Sequence, residues 1–127
     1  MFEVDSSDID RVAGRLEGAG RESAREAGRL LRSTAMDVET DAKRFAPVRT
    51  GTLRRSIRHE IRHTRGGAEA IVGTDVPYAR RIERGFVGAD ALGRVYNDPP
   101  RAYMGPALDR NMPDFIAGMQ RIADRGL

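Results

Sequence analysis

The amino-acid sequence predicts an α+β fold: a long N-terminal helix, a small antiparallel sheet, and a short helix and a C-terminal helix packed on this sheet. Apolar residues recur at steps of three and four near both ends of the chain, which is the spacing of one helical face. Around residue 57 they begin to alternate with polar residues, which is typical of a strand with one solvated face. The 127 residues leave room for one domain, because domains commonly hold ~100 to 200 residues.

The N-terminal helix is predicted to begin near Ile9, after a capping signal at Ser7, and to stop before Pro47, whose ring disfavours helical geometry in the preceding residue. Its weakest stretch lies between Gly18 and Gly28, since glycine destabilises a helix interior. We interpret residues 1–46 as a helical arm and 47–127 as an α+β unit, together one domain. The arm exceeds what this small core covers, so we expect it to lie against a neighbouring subunit.

A turn over Pro47–Gly51 is predicted to lead into the sheet, with Gly51 taking a positive φ. Residues 56–63 alternate, so that Ile57, His59, Ile61 and His63 share one face. Residues 69–73 form a second apolar run of strand length, after a turn at 65–67. The two runs are predicted to pair as an antiparallel hairpin.

The remaining elements follow from their start and stop signals. Residues 77–85 predict a short helix with Tyr78 and Ile82 on the face that packs on the sheet and Gly85 as a left-handed stop. Residues 86–100 have the composition of a loop, with room for a short strand at 94–96. The C-terminal helix is predicted from Pro106 onward, with a kink or restart at Pro113.

The charge is distributed unevenly along the chain. Charged residues make up 32% of the sequence, so the core is expected to be thin. The net charge of +3 arises because the segment 41–65, with 8 basic and 2 acidic residues, outweighs residues 1–40, with 6 basic and 9 acidic residues. Arginine neutralises phosphate without regard to sequence, so this segment supports an alternative function as a basic nucleic-acid-binding module. Aromatic residues for base stacking are missing from its Arg54 to Arg65 stretch.

The sequence holds no recognisable reactive or ligand-binding motif. There is no cysteine, no nucleophile elbow, no phosphate-binding loop and no zinc-protease motif. His59 and His63 would lie ~13 Å apart on a strand, too far to share one ion. The sequence therefore predicts no catalytic, cofactor or metal site, and no enzyme. No apolar run approaches the ~18 residues of a membrane span, and the N-terminus is acidic, so we expect a soluble protein without a membrane partner.

Four groups of residues carry a resemblance to a known family. They are A-P-V-R-T-G-T-L-R-R-S-I at 46–57, I-V-G-T at 71–74, Y-A to E-R-G at 78–85 and P-P-R-A-Y-M-G-P-A-L at 99–108. In these groups the chain resembles the minor tail, or head-tail joining and tail-completion (terminator-like), proteins of tailed bacteriophages with long tails. The similarity spans roughly residues 40–125 and is most specific in the first group. It departs at Ala102–Tyr103, where the family usually has Pro-Phe.

The resemblance implies a structural virion protein that is assembled in the host cytoplasm. It implies a ring of identical copies, commonly six, that completes the tail, docks to the tail tube protein and the head connector or adaptor, and lets DNA pass through its lumen without sequence-specific contact. Arg49, Arg54 and Glu83 are the expected interface residues. The residues expected to shape the scaffold are Pro47, Thr50, Gly51, Leu53, Ser56, Ile57, Gly73, Tyr78, Ala79, Gly85, Pro100, Pro106 and Leu108.

Overall fold

The fold was analysed in a computed structural model that describes residues 9–15, 21–48, 51–64, 67–84, 86–89, 92, 95–98 and 100–126. Its elements follow the chain in the order β1 (Ile9–Arg15), α1 (Arg21–Phe45), α2 (Thr52–Ser56), β2 (Arg58–Thr64), β3 (Gly67–Gly73), α3 (Ala79–Arg84), β4 (Phe86–Ala89), β5 (Val95–Asp98) and α4 (Met104–Gly126). This arrangement confirms the predicted α+β class.

The main sheet has three antiparallel strands in the order β1-β3-β2. The predicted hairpin is confirmed: β2 pairs with β3 from Arg58 opposite Gly73 to Thr64 opposite Gly67. The other edge of β3 pairs with β1, from Ile9 opposite Gly73 to Arg15 opposite Gly67. The central strand β3 is therefore hydrogen-bonded along both edges, and it fixes the positions of β1 and β2 in the sheet.

One face of this sheet packs on the helices. Ala68, Ala70 and Val72 of β3 alternate onto that face and are buried in the core. His59 lies on the same face of β2, and its Nδ1 is 3.1 Å from Oε1 of Glu39 in α1. The predicted alternation in β2 is thus confirmed by the contact that His59 makes with a helix.

α1 and α4 lie antiparallel to each other. Near the start of α1, Glu26 pairs with Arg125 at the end of α4, with 2.6 Å between Oε2 and Nη2. Near the end of α1, Oδ2 of Asp41 accepts a hydrogen bond of 2.9 Å from Nδ2 of Asn111, early in α4. These contacts fix the register of the two helices at both ends. The core that they enclose against the sheet includes Leu31, Ala35, Val38, Ala42, Ala70, Val72, Tyr103, Met104, Ala107 and Phe115.

The N-terminal part of the sequence prediction is partly wrong. Residues Ile9–Arg15, predicted as helix, form β1, because the edge of β3 offers them a complete ladder of backbone hydrogen bonds. The predicted helix from residue 21 onward is confirmed, and it ends at Phe45, just before Pro47. The segment 1–46, expected as an arm, contributes β1 to the sheet and the buried face of α1 to the core. The domain boundary at 46 stays a prediction.

Three later segments also differ from what the sequence predicts. Residues Thr52–Ser56 form the short helix α2, which the sequence analysis did not predict. The predicted loop over 86–100 contains the antiparallel hairpin β4–β5. α4 begins at Met104 and runs as one helix through Pro113, so the expected restart there is wrong. Asp109, the residue whose carbonyl loses its helical partner at Pro113, is exposed, and an exposed carbonyl can bond to solvent instead, which keeps the cost of Pro113 low.

Candidate assembly site

The first turn of α4 is held by the carboxylate of Glu83. Oε1 accepts hydrogen bonds of 2.8 Å from the backbone N–H groups of Met104 and Gly105, and Oε2 accepts one of 2.8 Å from Tyr103. The first N–H groups of a helix have no partner within the helix, and the positive end of its dipole favours an anion. Glu83 therefore serves as a helix cap supplied by another element, α3.

α3 is placed so that Glu83 reaches this position. Ala79, at its start, is fully buried, and its carbonyl accepts a 3.4 Å hydrogen bond from the hydroxyl of the buried Tyr103. The backbone N–H of Arg101 donates to the carbonyl of Ile82 at 2.8 Å. The short helix and the chain before α4 are thus joined by backbone, hydroxyl and carboxylate contacts. This junction unites the third and fourth groups of the resemblance.

The other predicted scaffold residues at this junction differ in burial. Pro106 occupies the third position of α4, where its missing N–H costs nothing, and its side chain is exposed. Leu108 is half-buried against the core, and Pro100 is exposed. Tyr78, which was expected to pack on the sheet, is 41% exposed and lies just before α3, which begins at Ala79; its packing role stays a prediction.

A second junction surrounds α2. Gly51 precedes this helix with a φ of 79°, as predicted, and a Cβ there would lie 2.6 Å from Nη1 of Arg55. Leu53 and Ile57 are 3% and 1% exposed and belong to the core, and their scaffold role stays a prediction. The turn thus buries two apolar side chains where the chain passes from α1 to the sheet, next to the half-buried Pro47.

Ser56 and Thr74 close this junction through a chain of hydrogen bonds. Ser56 Oγ donates to the carbonyl of Leu53 at 2.6 Å, and it lies 2.5 Å from Oγ1 of Thr74. Since the Ser56 hydrogen is already used, Thr74 is the donor in that contact. Thr74 in turn accepts from the N–H of Val76 at 3.1 Å. Thr74 is fully buried at the end of β3, directly after the buried Gly73.

Of the three expected interface residues, two fall within the described part of the chain. Glu83 caps the first turn of α4 within its own chain. Arg54 is half-buried in α2: its Nη2 reaches the carbonyl of Ala46 at 3.5 Å, and its Nε is buried with no hydrogen-bond partner among the residues that the structure describes. Arg49 lies outside the described residues, as do Thr50 and Gly85. The interface roles of these arginines and of Glu83 stay predictions.

Four of the described cations in the basic segment 41–65 lie beside carboxylates. Lys43 and Arg44 of α1 lie 3.4 and 3.2 Å from carboxylate oxygens of Glu39 and Asp41. On the outer face of β2, Arg62 lies 3.4 Å from Glu60. Arg58 lies 3.7 Å from Asp75 in the same way. These cations are therefore divided between α1 and β2, and a neighbouring carboxylate offsets the charge of each.

The hairpin β4–β5 forms a second, two-stranded sheet. Its strands pair with each other from Phe86 opposite Asp98 to Ala89 opposite Val95, and they make only sparse contacts with the other described elements. Leu92, in the connection between the strands, is 78% exposed. A two-stranded hairpin alone is marginally stable in water, so this element is expected to gain stability from a partner.

Several of these contacts were not predicted from sequence. The hydroxyl of Thr74 and the pairing of Asp41 with Asn111 join residues far apart in the chain, and no local pattern marks them. Tyr103 could have been found, since a tyrosine is a polar group that needs a hydrogen-bond partner when buried. Its hydroxyl has one in the carbonyl of Ala79.

Comparison with protein families decides the class of the protein. The model of the HK97-gp10-like family, described as "Bacteriophage HK97-gp10, putative tail-component", matches residues 10–85, more than half of the chain. The chain belongs to this phage tail-component family. Membership indicates a structural protein of a tailed-phage virion. The match includes the first three groups of the resemblance and ends before the fourth.

The remaining comparisons add no relative. No curated protein and no solved structure gave a significant match to the chain. Within the described ranges, no cluster of three or more histidine, cysteine, aspartate or glutamate residues could hold a metal ion. No helix in the described part of the tail component has the length and apolar character to cross a bilayer.

Proposed function

We propose that this tail component is a non-catalytic structural subunit that assembles into a closed ring, with six copies expected, at the junction between the phage head and tail. In this position the ring completes the tail tube and joins it to the head connector or adaptor protein. DNA passes through the lumen without sequence-specific contact. The subunits assemble in the host cytoplasm and remain in the virion.

The observation that carries the proposal is the hairpin β4–β5 of a chain in a phage tail-component family. The hairpin forms a second sheet beside a body whose helices and main sheet are joined by capped ends, buried hydroxyls and ion pairs. A separate two-stranded element with Leu92 exposed is suited to contact between copies. Identical copies that bind through different surfaces close into rings when the rotation between them permits it.

The proposal is tested by assembly with the proposed partners. The purified protein is mixed with tail tubes that lack their head-proximal end, and the products are imaged by negative-stain electron microscopy. We expect a ring at one tube end and tubes that then attach to connector-bearing heads. Tubes that bind no protein at either end, or that bind it along their whole length, would contradict the role.

A further inference from the structure

The first half of α1 carries a line of exposed arginines. Arg21, Arg25 and Arg32 follow one side of the helix at steps of four and seven residues, and Arg29 lies beside them. With 3.6 residues per turn, the four side chains lie within ~80° of the helix circumference and ~17 Å of its length. The side of α1 that faces the core, with Leu31, is separate from them. These four arginines form the arginine stripe.

The charges of the arginine stripe are not paired within the described part of the chain. None of its four side chains makes an ion pair or a side-chain hydrogen bond with a described residue. Two nearby acids of α1 are engaged elsewhere: Glu26 by Arg125 of α4 at 2.6 Å, and Glu39 by Lys43 at 3.4 Å. The stripe therefore presents four cations that no carboxylate among the described residues contacts.

This arrangement is unfavourable for the helix by itself. Arg25 lies four residues from both Arg21 and Arg29, and like charges at this spacing destabilise a helix. Gly28, in the middle of the stripe, destabilises it further, and there is open space where its Cβ would be. A bound anion would offset the repulsion between the arginines. The missing side chain at Gly28 leaves room for that anion to approach the backbone of α1.

The basic surface continues onto the end of α4. Arg29 lines a groove between α1 and α4 together with Arg121, which is exposed. Arg121, too, makes no ion pair with a residue that the structure describes. Arg29 also lines a second depression, which it shares with Arg32. Arg121 therefore lies beside the arginine stripe and adds a fifth cation to the same surface.

The phosphate backbone of duplex DNA fits this surface. Duplex DNA carries one negative charge per ~1.7 Å of its axis, so a stripe of ~17 Å can contact several phosphates at once. No aromatic residue lies between Arg21 and Arg32. The stripe thus lacks the aromatic anchors that are enriched in protein–protein interfaces, and it lacks the stacking surfaces that bind single-stranded bases. Charge alone is left to provide the contact.

We propose that the arginine stripe, together with Arg121, binds the phosphate backbone of duplex DNA and is the surface of each copy that faces the lumen. The inference rests on the proposed function, in which DNA passes through the ring, and it names the surface that contacts the DNA. Rotation around the lumen repeats the stripe around the duplex. Phosphate contacts carry no sequence information, so they are the same for any DNA that passes.

Duplex-DNA binding by three fourfold variants tests this surface. Fluorescence anisotropy with a labelled duplex of mixed sequence is measured from ~50 to ~200 mM salt. The stripe variant is Arg21→Gln/Arg25→Gln/Arg29→Gln/Arg32→Gln, and the lysine variant carries Lys at the same four positions. The control variant removes the same number of charges from exposed arginines outside the stripe. It is Arg55→Gln/Arg58→Gln/Arg62→Gln/Arg110→Gln.

We expect the wild type to bind weakly at physiological salt and ~100-fold more tightly at ~50 than at ~200 mM salt, as for about four phosphate contacts. At ~50 mM salt the stripe variant should bind at least ~10-fold more weakly, with a flatter salt dependence. The lysine and control variants should stay within ~3-fold of the wild type. Thermal unfolding should show that the stripe variant is at least as stable as the wild type, because the repulsion between like charges is removed.

Four results would overturn the inference. They are no measurable DNA binding by the wild type at ~50 mM salt, equal affinity of the stripe and control variants, a lysine variant as weak as the stripe variant, and a stripe variant that binds DNA normally but no longer caps tail tubes. The last result would assign the stripe to a protein partner. Capping of tubes by the wild type leaves the proposed function standing in each case. If the wild type caps no tubes, the proposed function is overturned, and the DNA affinities alone decide whether the stripe binds DNA.

Discussion

The carboxylate of Glu83 accepts a 2.8 Å hydrogen bond from the backbone N–H of Met104, which ties α3 to the first turn of α4. The same carboxylate caps the two neighbouring N–H groups. The hairpin β4–β5 follows α3 closely in the chain. Together with the Tyr103 hydroxyl and the Arg101 backbone N–H, which bond to the carbonyls of Ala79 and Ile82, Glu83 fixes the position of α3 relative to α4.

Replacing Glu83 with alanine is expected to lower the free energy of unfolding by ~2 kcal/mol, because three backbone donors lose their acceptor. Glu83→Gln keeps one acceptor oxygen and should cost about half as much. Urea unfolding followed by far-UV circular dichroism measures both. Asp114→Asn, at an exposed position of α4, is the control. A loss below ~0.5 kcal/mol for Glu83→Ala would show that the cap is unimportant.

The hydrogen bonds between Ser56, Thr74 and the backbone at the α2 junction lead to a second prediction. Thr74→Val keeps the shape of the side chain but leaves Ser56 without its donor and Val76 without its acceptor, so we expect a loss of ~1 to 3 kcal/mol. In the double variant Ser56→Ala/Thr74→Val, the coupling should be ~0.5 kcal/mol or more. Thr74→Ser, which retains the hydroxyl, is the control for the first effect. Strict additivity in denaturant unfolding would mean that the two hydroxyls act independently.

Substitutions at two glycines in helices should change the stability of the protein in opposite directions. Gly28 in α1 has open space where a Cβ would be, so Gly28→Ala should raise stability by ~0.5 to 1 kcal/mol through helix propensity. Gly118→Val should lower it by ~1 to 3 kcal/mol, because its branched side chain collides with Leu30. Thermal unfolding of the two variants beside the wild type measures both. The packing of α1 on α4 would be contradicted if Gly118→Val were as stable as the wild type.

Elements whose signals lie within a few residues could be predicted from the sequence. Elements and contacts that depend on residues distant in the chain could not. α1 from residue 21, the β2–β3 pairing, the positive φ of Gly51 and the short helix α3 all carry their periodicity or turn chemistry within a few residues. β1 was misassigned because Ile9 and Val12 fit helical spacing, and only the free edge of β3 makes that segment a strand. The role of Glu83 depends on a helix end that begins 21 residues later in the chain.

The basic segment provides a test of the alternative function. Because Arg58 and Arg62 lie beside Asp75 and Glu60, we expect only weak binding to duplex DNA, with a Kd above ~1 µM at physiological salt. Fluorescence anisotropy from ~50 to ~200 mM salt measures it. The comparison is the variant Arg54→Gln/Arg55→Gln/Arg58→Gln/Arg62→Gln. Tight binding by the wild type that this variant loses would favour the nucleic-acid-binding module.

The central claim is that copies of the protein assemble through contacts of the hairpin β4–β5. Light scattering after size-exclusion chromatography, with and without tail tubes, tests it on the wild type, Leu92→Asp and the control Ile116→Asp, which alters an exposed apolar residue of α4. We expect the wild type and Ile116→Asp to form a ring near six times 14.0 kDa or to cap the tubes, and Leu92→Asp to remain a folded monomer. Assembly of Leu92→Asp to the same extent as the wild type would contradict the claim.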